Sequence, residues 1–208
     1  MSLFITFEGI EGAGKSTQIL LLKSALLKQG LNVLITREPG GTFIGDQIRT
    51  ILLDQKNKDM TPLTELFLYE ASRAQHVHEK ILPALKQKKI VISDRFYDAS
   101  TVYQGMAREL PLSWIHPLNR MASFELKPDL TFVLDVDVTK GLSRIQKRYR
   151  STKKKDRIER ESQKFHHKIR QGYLTLAKKE PSRIKVIDAA QDINTIHQNI
   201  LYWVNKKR

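Results

Sequence analysis

The chain has 208 residues, 40% of them hydrophobic, and a formal net charge of +14. That length and apolar content suit one domain, residues 1–208, around one sizeable core with little disordered sequence. The absence of cysteine excludes a disulfide framework, a thiolate metal site and a cysteine nucleophile, and suits a reducing cytosol, so a cytoplasmic protein is expected.

An apolar strand pattern runs from Leu3 to Phe7, starting too early for a signal peptide. The helix after Gly14 carries Ile19, Leu22, Leu26 and Leu27 at helical spacing and closes at Gly30; its leucine-rich run is stopped by Lys23, too short to span a membrane. Asn32 to Thr36 predicts a second strand. A short helix from Phe43 to about Leu53 has Ile44, Ile48, Ile51 and Leu52 on one stripe. Thr61 and Pro62 predict an N-cap and first-turn proline for a long helix through Leu85, kinked at Pro83. Its core stripe is expected at Leu63, Phe67 and Ala74. Further strands are predicted at Ile90–Ser93, Leu130–Asp135 and Ile184–Ile187, with helical patterns between and after them. Strands alternating with helices predict an α/β fold, a five-stranded parallel sheet flanked by helices on both faces, with ligands at the strands' carboxyl ends.

Gly9, Gly14, Lys15 and Ser16 match G-x-x-x-x-G-K-[ST] between a strand and a helix, the P-loop NTPase context. The segment Gly9, Ile10, Glu11, Gly12, Ala13, Gly14, Lys15, Ser16 and Thr17 is therefore expected to bind ATP. Backbone N–H groups converge on phosphate oxygens at a helix N-terminus, Lys15 reaches the outer phosphates, and Ser16 is placed to ligate Mg²⁺. The third strand ends in ISDRF, so Asp94 lies at the sheet edge, where a carboxylate holds the metal or its water, and Arg95 follows. A switch GTPase is excluded, because neither Asp-x-x-Gly nor an Asn-Lys-x-Asp base reader is present.

Arg37, Arg49, Arg73 and Arg95 flank the strand ends opposite the loop, a group able to clamp a second phosphate by forked hydrogen bonds. Tyr69 and Arg73 are four apart on one helical face, an aromatic plate beside a fork of donors that a planar base could use. The histidine pairs His76/His78 and His166/His167 lack i, i+4 ligand spacing and read as surface residues. Residues 147–157, KRYRSTKKKDR, carry seven basic residues and one acid, so nearly half of the excess charge sits in one segment.

FEGIEGAGKSTQ, TREPGGT, YEASRAQ, DRFYDASTVYQG and DRIERES together resemble the bacterial thymidylate kinase family over essentially the whole chain. The resemblance implies transfer of the terminal phosphoryl of ATP-Mg²⁺ to dTMP, giving dTDP, by a homodimer without nucleic-acid or membrane partners. It implies that Arg37, Arg49 and Arg95 hold the dTMP phosphate beside Pro39, that Tyr69 stacks on thymine, and that Arg73 meets its O4. Ser100 and Gln104 would read the remaining base edge; Glu11 would accept from the deoxyribose 3′-OH, and Tyr103 would crowd the place of a ribose 2′-OH. Members lacking an arginine in the phosphate loop, as here, carry basic residues in a mobile lid between the fourth strand and the DRIERES helix. The basic segment, about 147–157, is then that lid. Lys15, Arg95 and the lid arginines Arg148, Arg150 and Arg157 are the expected catalytic cations, and Lys153 to Lys155 the solvated lid tip. Three other readings compete: a kinase for a different nucleotide or nucleoside, a nucleic-acid-stimulated ATPase drawing on the basic charge, and a nucleotide-binding scaffold without catalysis.

Overall fold

The computed structural model describes residues 2–149 and 156–208, without the side chains of 148 and 149. Five strands form one sheet: β1 (Leu3–Glu8), β2 (Val33–Arg37), β3 (Ile90–Asp94), β4 (Leu130–Asp135) and β5 (Ile184–Asp188). Their order is β2-β3-β1-β4-β5 and every pair is parallel. Each predicted strand is present, with ends within one residue of the expected ones. The central strand β1 is buried at all six positions, which is why it reads as a continuous apolar run and not as an alternation. Both edge strands, β2 and β5, are partly exposed.

The helices are α1 (Lys15–Lys28), α2 (Phe43–Leu53), α3 (Pro62–His76), α4 (Leu82–Lys86), α5 (Tyr97–Ser100), α6 (Leu112–Ala122), α7 (Val138–Tyr149), α8 (Gln163–Lys179) and α9 (Ile193–Lys207). As expected, Thr61 caps α3, its side chain accepting from the Thr64 N–H, and Pro62 occupies the first turn. The irregularity expected at Pro83 begins upstream: Val77–Ile81 is π-helical, with the Leu82 N–H donating to the Val77 carbonyl. This wider turn precedes a proline that cannot donate and whose ring would crowd a carbonyl one α-turn back. A second π-helical stretch, Thr101–Ala107, follows α5 and carries Tyr103 and Gln104.

Several expectations need correction. On α3 the buried residues are Glu65, Leu66, Glu70, Ser72, Arg73 and His76, whereas Leu63 and Phe67 are exposed. On α2 only Leu52 of the apolar stripe is fully buried, and Ile44 and Ile51 face outward; Leu27 of α1 is likewise exposed. Periodicity found an apolar face on these helices without saying that the core takes a different one. His76 and His166 are not surface residues: His76 is fully enclosed, bonded to Thr36 Oγ1 and Glu38, and His166 packs beside Glu11. The DRIERES segment is not helical. Residues 157–160 form turns, and α8 starts at Gln163 with Ser162 as its cap.

Candidate active site

β1 ends at Glu8 and the chain turns through Gly9–Gly14 into α1. Gly12 has φ +75°, and a Cβ there would lie 2.2 Å from the carbonyl oxygen of Gly141 on α7. The loop is therefore seated against α7 at two glycines, a contact no other residue type permits. Lys15 folds back over this loop, its Nζ donating to the carbonyls of Gly9 and Ile10 at 3.1 Å each. Burial, and then the nearby Arg95, lower its pKa.

Across the strand ends, Arg95 follows β3 in a left-handed backbone conformation, φ 74°, a strained geometry of about 1–3 kcal/mol that recurs at functional sites. Its guanidinium donates to Glu11 Oε1 at 2.6 Å and to the Tyr173 hydroxyl at 3.1 Å, and lies 5.0 Å over the Tyr103 ring. Behind it, Glu8 accepts from Tyr173 and from the Phe96 N–H. Burial pushes the Glu8 carboxyl up to about 8 against the opposing pull of Arg95. Burial works the same way on Glu11, but Arg95, Lys15 and His166 outweigh it and leave that carboxylate below its ordinary value. Glu11 Oε2 and Asp94 Oδ1 are both buried and accept no hydrogen bond from the described residues. These are two waiting acceptors in one site.

One cavity of about 430 Å³ joins the phosphate loop to these groups. Glu11, Gly12, Gly14, Lys15, Ser16 and Thr17 line it from the loop side; Asp94, Arg37, Pro39, Arg49, Tyr69, Arg95, Ser100, Tyr103 and Gln104 line it from β2, β3 and the residues just after them, α2, α3, α5 and the second π-helical stretch. Arg49 donates to the Pro39 carbonyl at 2.9 Å, and Arg37 pairs with Asp46 at 3.3 Å. The Tyr69 hydroxyl makes no hydrogen bond to a described residue, and burial raises its pKa.

Five expected site residues stand off the cavity wall. Gly9, Ile10 and Ala13 contribute loop backbone behind it. Arg73 is 1% exposed and sits behind Ser100, donating to Glu38 at 2.9 Å, Glu70 at 2.6 Å, Asn119 at 3.0 Å and Ser100 Oγ at 3.0 Å. Its first task is to neutralise two buried carboxylates. Arg157 does not face the phosphate loop: it is buried, donating to the Leu52 carbonyl at 2.9 Å and pairing with Glu65 at 2.6 Å. The Arg148 side chain and residues 150–155, with Arg150 and Lys153 to Lys155, lie outside the described residues.

Sequence reasoning missed Glu8, Glu38, Glu65 and Arg144. Arg144 lines the cavity from α7 and donates to the Gly12 carbonyl at 3.1 Å. Its signal was available, since it is one helical turn before the basic segment. The three glutamates gave none, because a lone acid is usually solvated.

A parallel sheet that delivers a phosphate loop, an unpaired acid and several guanidinium groups to one end is that of a P-loop phosphotransferase acting between two anionic substrates. The family model for thymidylate kinase matches residues 7–200. The chain is 47% identical over 203 residues to thymidylate kinase of a Thermoanaerobacter species, covering 98% of this chain and 97% of the relative. It is 52% identical over 195 residues to that of a Geobacter species, covering 93% and 87%. A crystal structure of thymidylate kinase from Ehrlichia chaffeensis superposes with a TM-score of 0.77 at 37% identity, over 98% of each chain. The chain belongs to the thymidylate kinase family.

Proposed function

We propose that this protein transfers the terminal phosphoryl group of ATP to dTMP, giving dTDP and ADP in dTTP biosynthesis. The observation that carries this reading is the single cavity shared by the phosphate loop, four arginines and the Tyr69, Ser100 and Gln104 group. The acceptor phosphate, with a second pKa near ~6, is already an anionic nucleophile at neutral pH, so alignment and charge neutralisation suffice and no general base is needed. Lys15 leaves its loop carbonyls for the phosphates of ATP. Arg37, Arg49 and Arg95 grip the dTMP phosphate. Tyr69 offers its ring to thymine, and Ser100, held by Arg73, meets the base edge. Glu11 Oε2, without a donor of its own, accepts from the 3′-OH while Tyr103 closes the 2′ side.

Among the described residues no cluster of three acidic, histidine or cysteine side chains gathers to hold a metal. That suits Mg²⁺, which is bound through one or two protein oxygens plus substrate phosphates and water. Ser16 and Asp94 would hold it, the latter through the buried Oδ1 that lacks a partner. When bound, Mg²⁺ would neutralise charge developing on the transferring group.

Arg144 supplies one donor-side cation from α7. Arg148 and Arg150 of the basic segment extend that role. No helix among the described residues is long and apolar enough to cross a membrane. The cysteine-free sequence suits a cytoplasmic enzyme. The outward apolar face of α2 and α3, with Phe43, Ile44, Ile51, Leu63 and Phe67, fits a second copy of the chain, giving a homodimer.

The test is a coupled assay of ADP release with Mg²⁺-ATP and, in turn, dTMP, dUMP, dCMP, dGMP and thymidine. Preference for dTMP with dTDP as product is expected. Absence of a diphosphate product, or ATP turnover stimulated by nucleic acid alone, would overturn the reading.

A further inference from the structure

Glu65 lies in the first turn of α3, 1% exposed, and three hydrogen bonds from two side chains and an ion pair from a third converge on its two oxygens. Gln104 Nε2 donates to Oε1 at 2.7 Å. Arg108 reaches Oε1 through Nε and Oε2 through Nη2, both at 3.3 Å, and Arg157 Nη2 meets Oε2 at 2.6 Å. Arg108 is fixed in turn by Glu161 at 2.6 Å and by the face of Phe165 at 4.5 Å; Arg157 is fixed by the Leu52 carbonyl. Burial works to raise the Glu65 pKa, but Arg108, the Gln104 bond and Arg157 outweigh it, so the group is an anion that only accepts.

An anionic carboxylate with both oxygens engaged dictates the orientation of the amide beside it. Were Gln104 turned over, its carbonyl oxygen would face Glu65 Oε1 across a contact of 2.7 Å, two acceptors with no proton between them. The nitrogen must therefore face Glu65. The carbonyl oxygen of Gln104, which accepts no bond from any described residue, is left for the cavity that the side chain lines.

We propose that Glu65 is a positioning residue that sets base specificity: by holding the Gln104 amide nitrogen it presents the Gln104 carbonyl oxygen to the base, which then accepts from pyrimidines carrying N3–H and repels those whose N3 is a lone pair. This rests on the proposed binding of dTMP in the cavity. Thymine and uracil carry N3–H; cytosine presents an acceptor there. Gln104 alone would not discriminate, because a free amide can present either end. Discrimination comes from the buried anion behind it, which touches no substrate.

Glu65→Gln tests this, since a neutral amide can donate or accept and lets Gln104 turn over. Steady-state kcat/KM is measured for dTMP, dUMP and dCMP with wild-type protein and variant. The expected result is a fall of about tenfold or more in the dTMP/dCMP ratio with the dTMP/dUMP ratio unchanged, the pattern of one hydrogen bond losing its direction. An equal fall for all three acceptors, as from a purely structural role, overturns the proposal, as does an unchanged dTMP/dCMP ratio. A variant that fails to fold leaves the decision to wild-type protein and N3-methyl-dTMP. Binding weaker than dTMP by about tenfold or more is expected there, and equal binding overturns the proposal. Wild-type protein that turns over none of the acceptors overturns the function itself, and this proposal with it.

Discussion

Replacing Arg73 with alanine separates two tasks that the sequence alone assigns to binding. The side chain is 1% exposed and compensates Glu38 and Glu70, themselves 5% and 6% exposed. Removing it leaves carboxylates without their guanidinium in a region closed to water, with His76 the remaining partner of Glu38. Breaking a buried pair from one side costs about 3–5 kcal/mol. For a chain of this size each kcal/mol moves the unfolding midpoint by about 2–4 °C, so Arg73→Ala is expected to melt roughly 6–20 °C below wild type. The same change frees Ser100 Oγ from its donor, so the surviving folded protein is expected to show a dTMP KM raised by about tenfold. Thermal unfolding by circular dichroism, with parallel kinetics well below the variant's midpoint, reads both. Arg73→Lys keeps the charge without the fork and falls between the two. A midpoint within about 2 °C of wild type, accompanied by a large KM effect, would refute the argument that neutralisation of Glu38 and Glu70 is the first task of this arginine.

Tyr69→Phe is expected to leave kcat and the dTMP KM within about twofold of wild type, because the hydroxyl makes no bond that the change would remove. Tyr69→Leu, which removes the ring, is expected to raise the dTMP KM about three- to tenfold, and equal behaviour of the two variants would exclude stacking. Glu8 gives a pH signature. Burial raises its folded pKa to about 8, well above the ordinary carboxylate range, so the folded state holds a proton that the unfolded chain releases. The resulting stability is fully present below the unfolded pKa and is lost as pH rises through the folded one. Glu8→Gln mimics the protonated form, so its unfolding midpoint relative to wild type is expected to rise from about pH 5 to about pH 8; parallel curves over that range would contradict the assignment.

The strands and the phosphate loop were legible because their signals are local. Ile90–Asp94 and Leu130–Asp135 are short apolar runs too brief for helices, and the Gly9–Ser16 spacing is fixed by the phosphate it encloses. The faces of α2 and α3 were not. Leu63, Phe67, Ile44 and Ile51 obey helical periodicity as well as Leu66 and Leu52 do, and only the tertiary structure shows that the former are left outside. Within the site, residues at strand ends could be placed because a parallel sheet presents that edge to ligands. Those acting from behind the cavity wall could not: Glu8 and Glu65 acquire their roles from burial against arginines distant in sequence, as Glu38 does on the wall itself. Arg157 shows the same limit, since its place in a basic run suggests a catalytic lid cation until Glu65 and the Leu52 carbonyl are brought beside it.

The cations of this site already have internal counterparts: Arg95 is held by Glu11, Arg37 by Asp46, and Lys15 by the carbonyls of its own loop. Substrate binding in the proposed reaction is therefore an exchange of partners. Each phosphate takes the place of a protein acceptor at a charge whose position is already set, so little reorganisation is left for the transfer step. The exchange at Arg95 has a second consequence. Once the guanidinium turns from Glu11 to the acceptor phosphate, Glu11 loses its strongest partner while remaining enclosed, and a sugar hydroxyl is the donor that restores it. In the proposed complex phosphate and sugar recognition would thus be coupled through one carboxylate, and a 3′-deoxy acceptor would leave Glu11 short of a donor at the moment Arg95 is engaged.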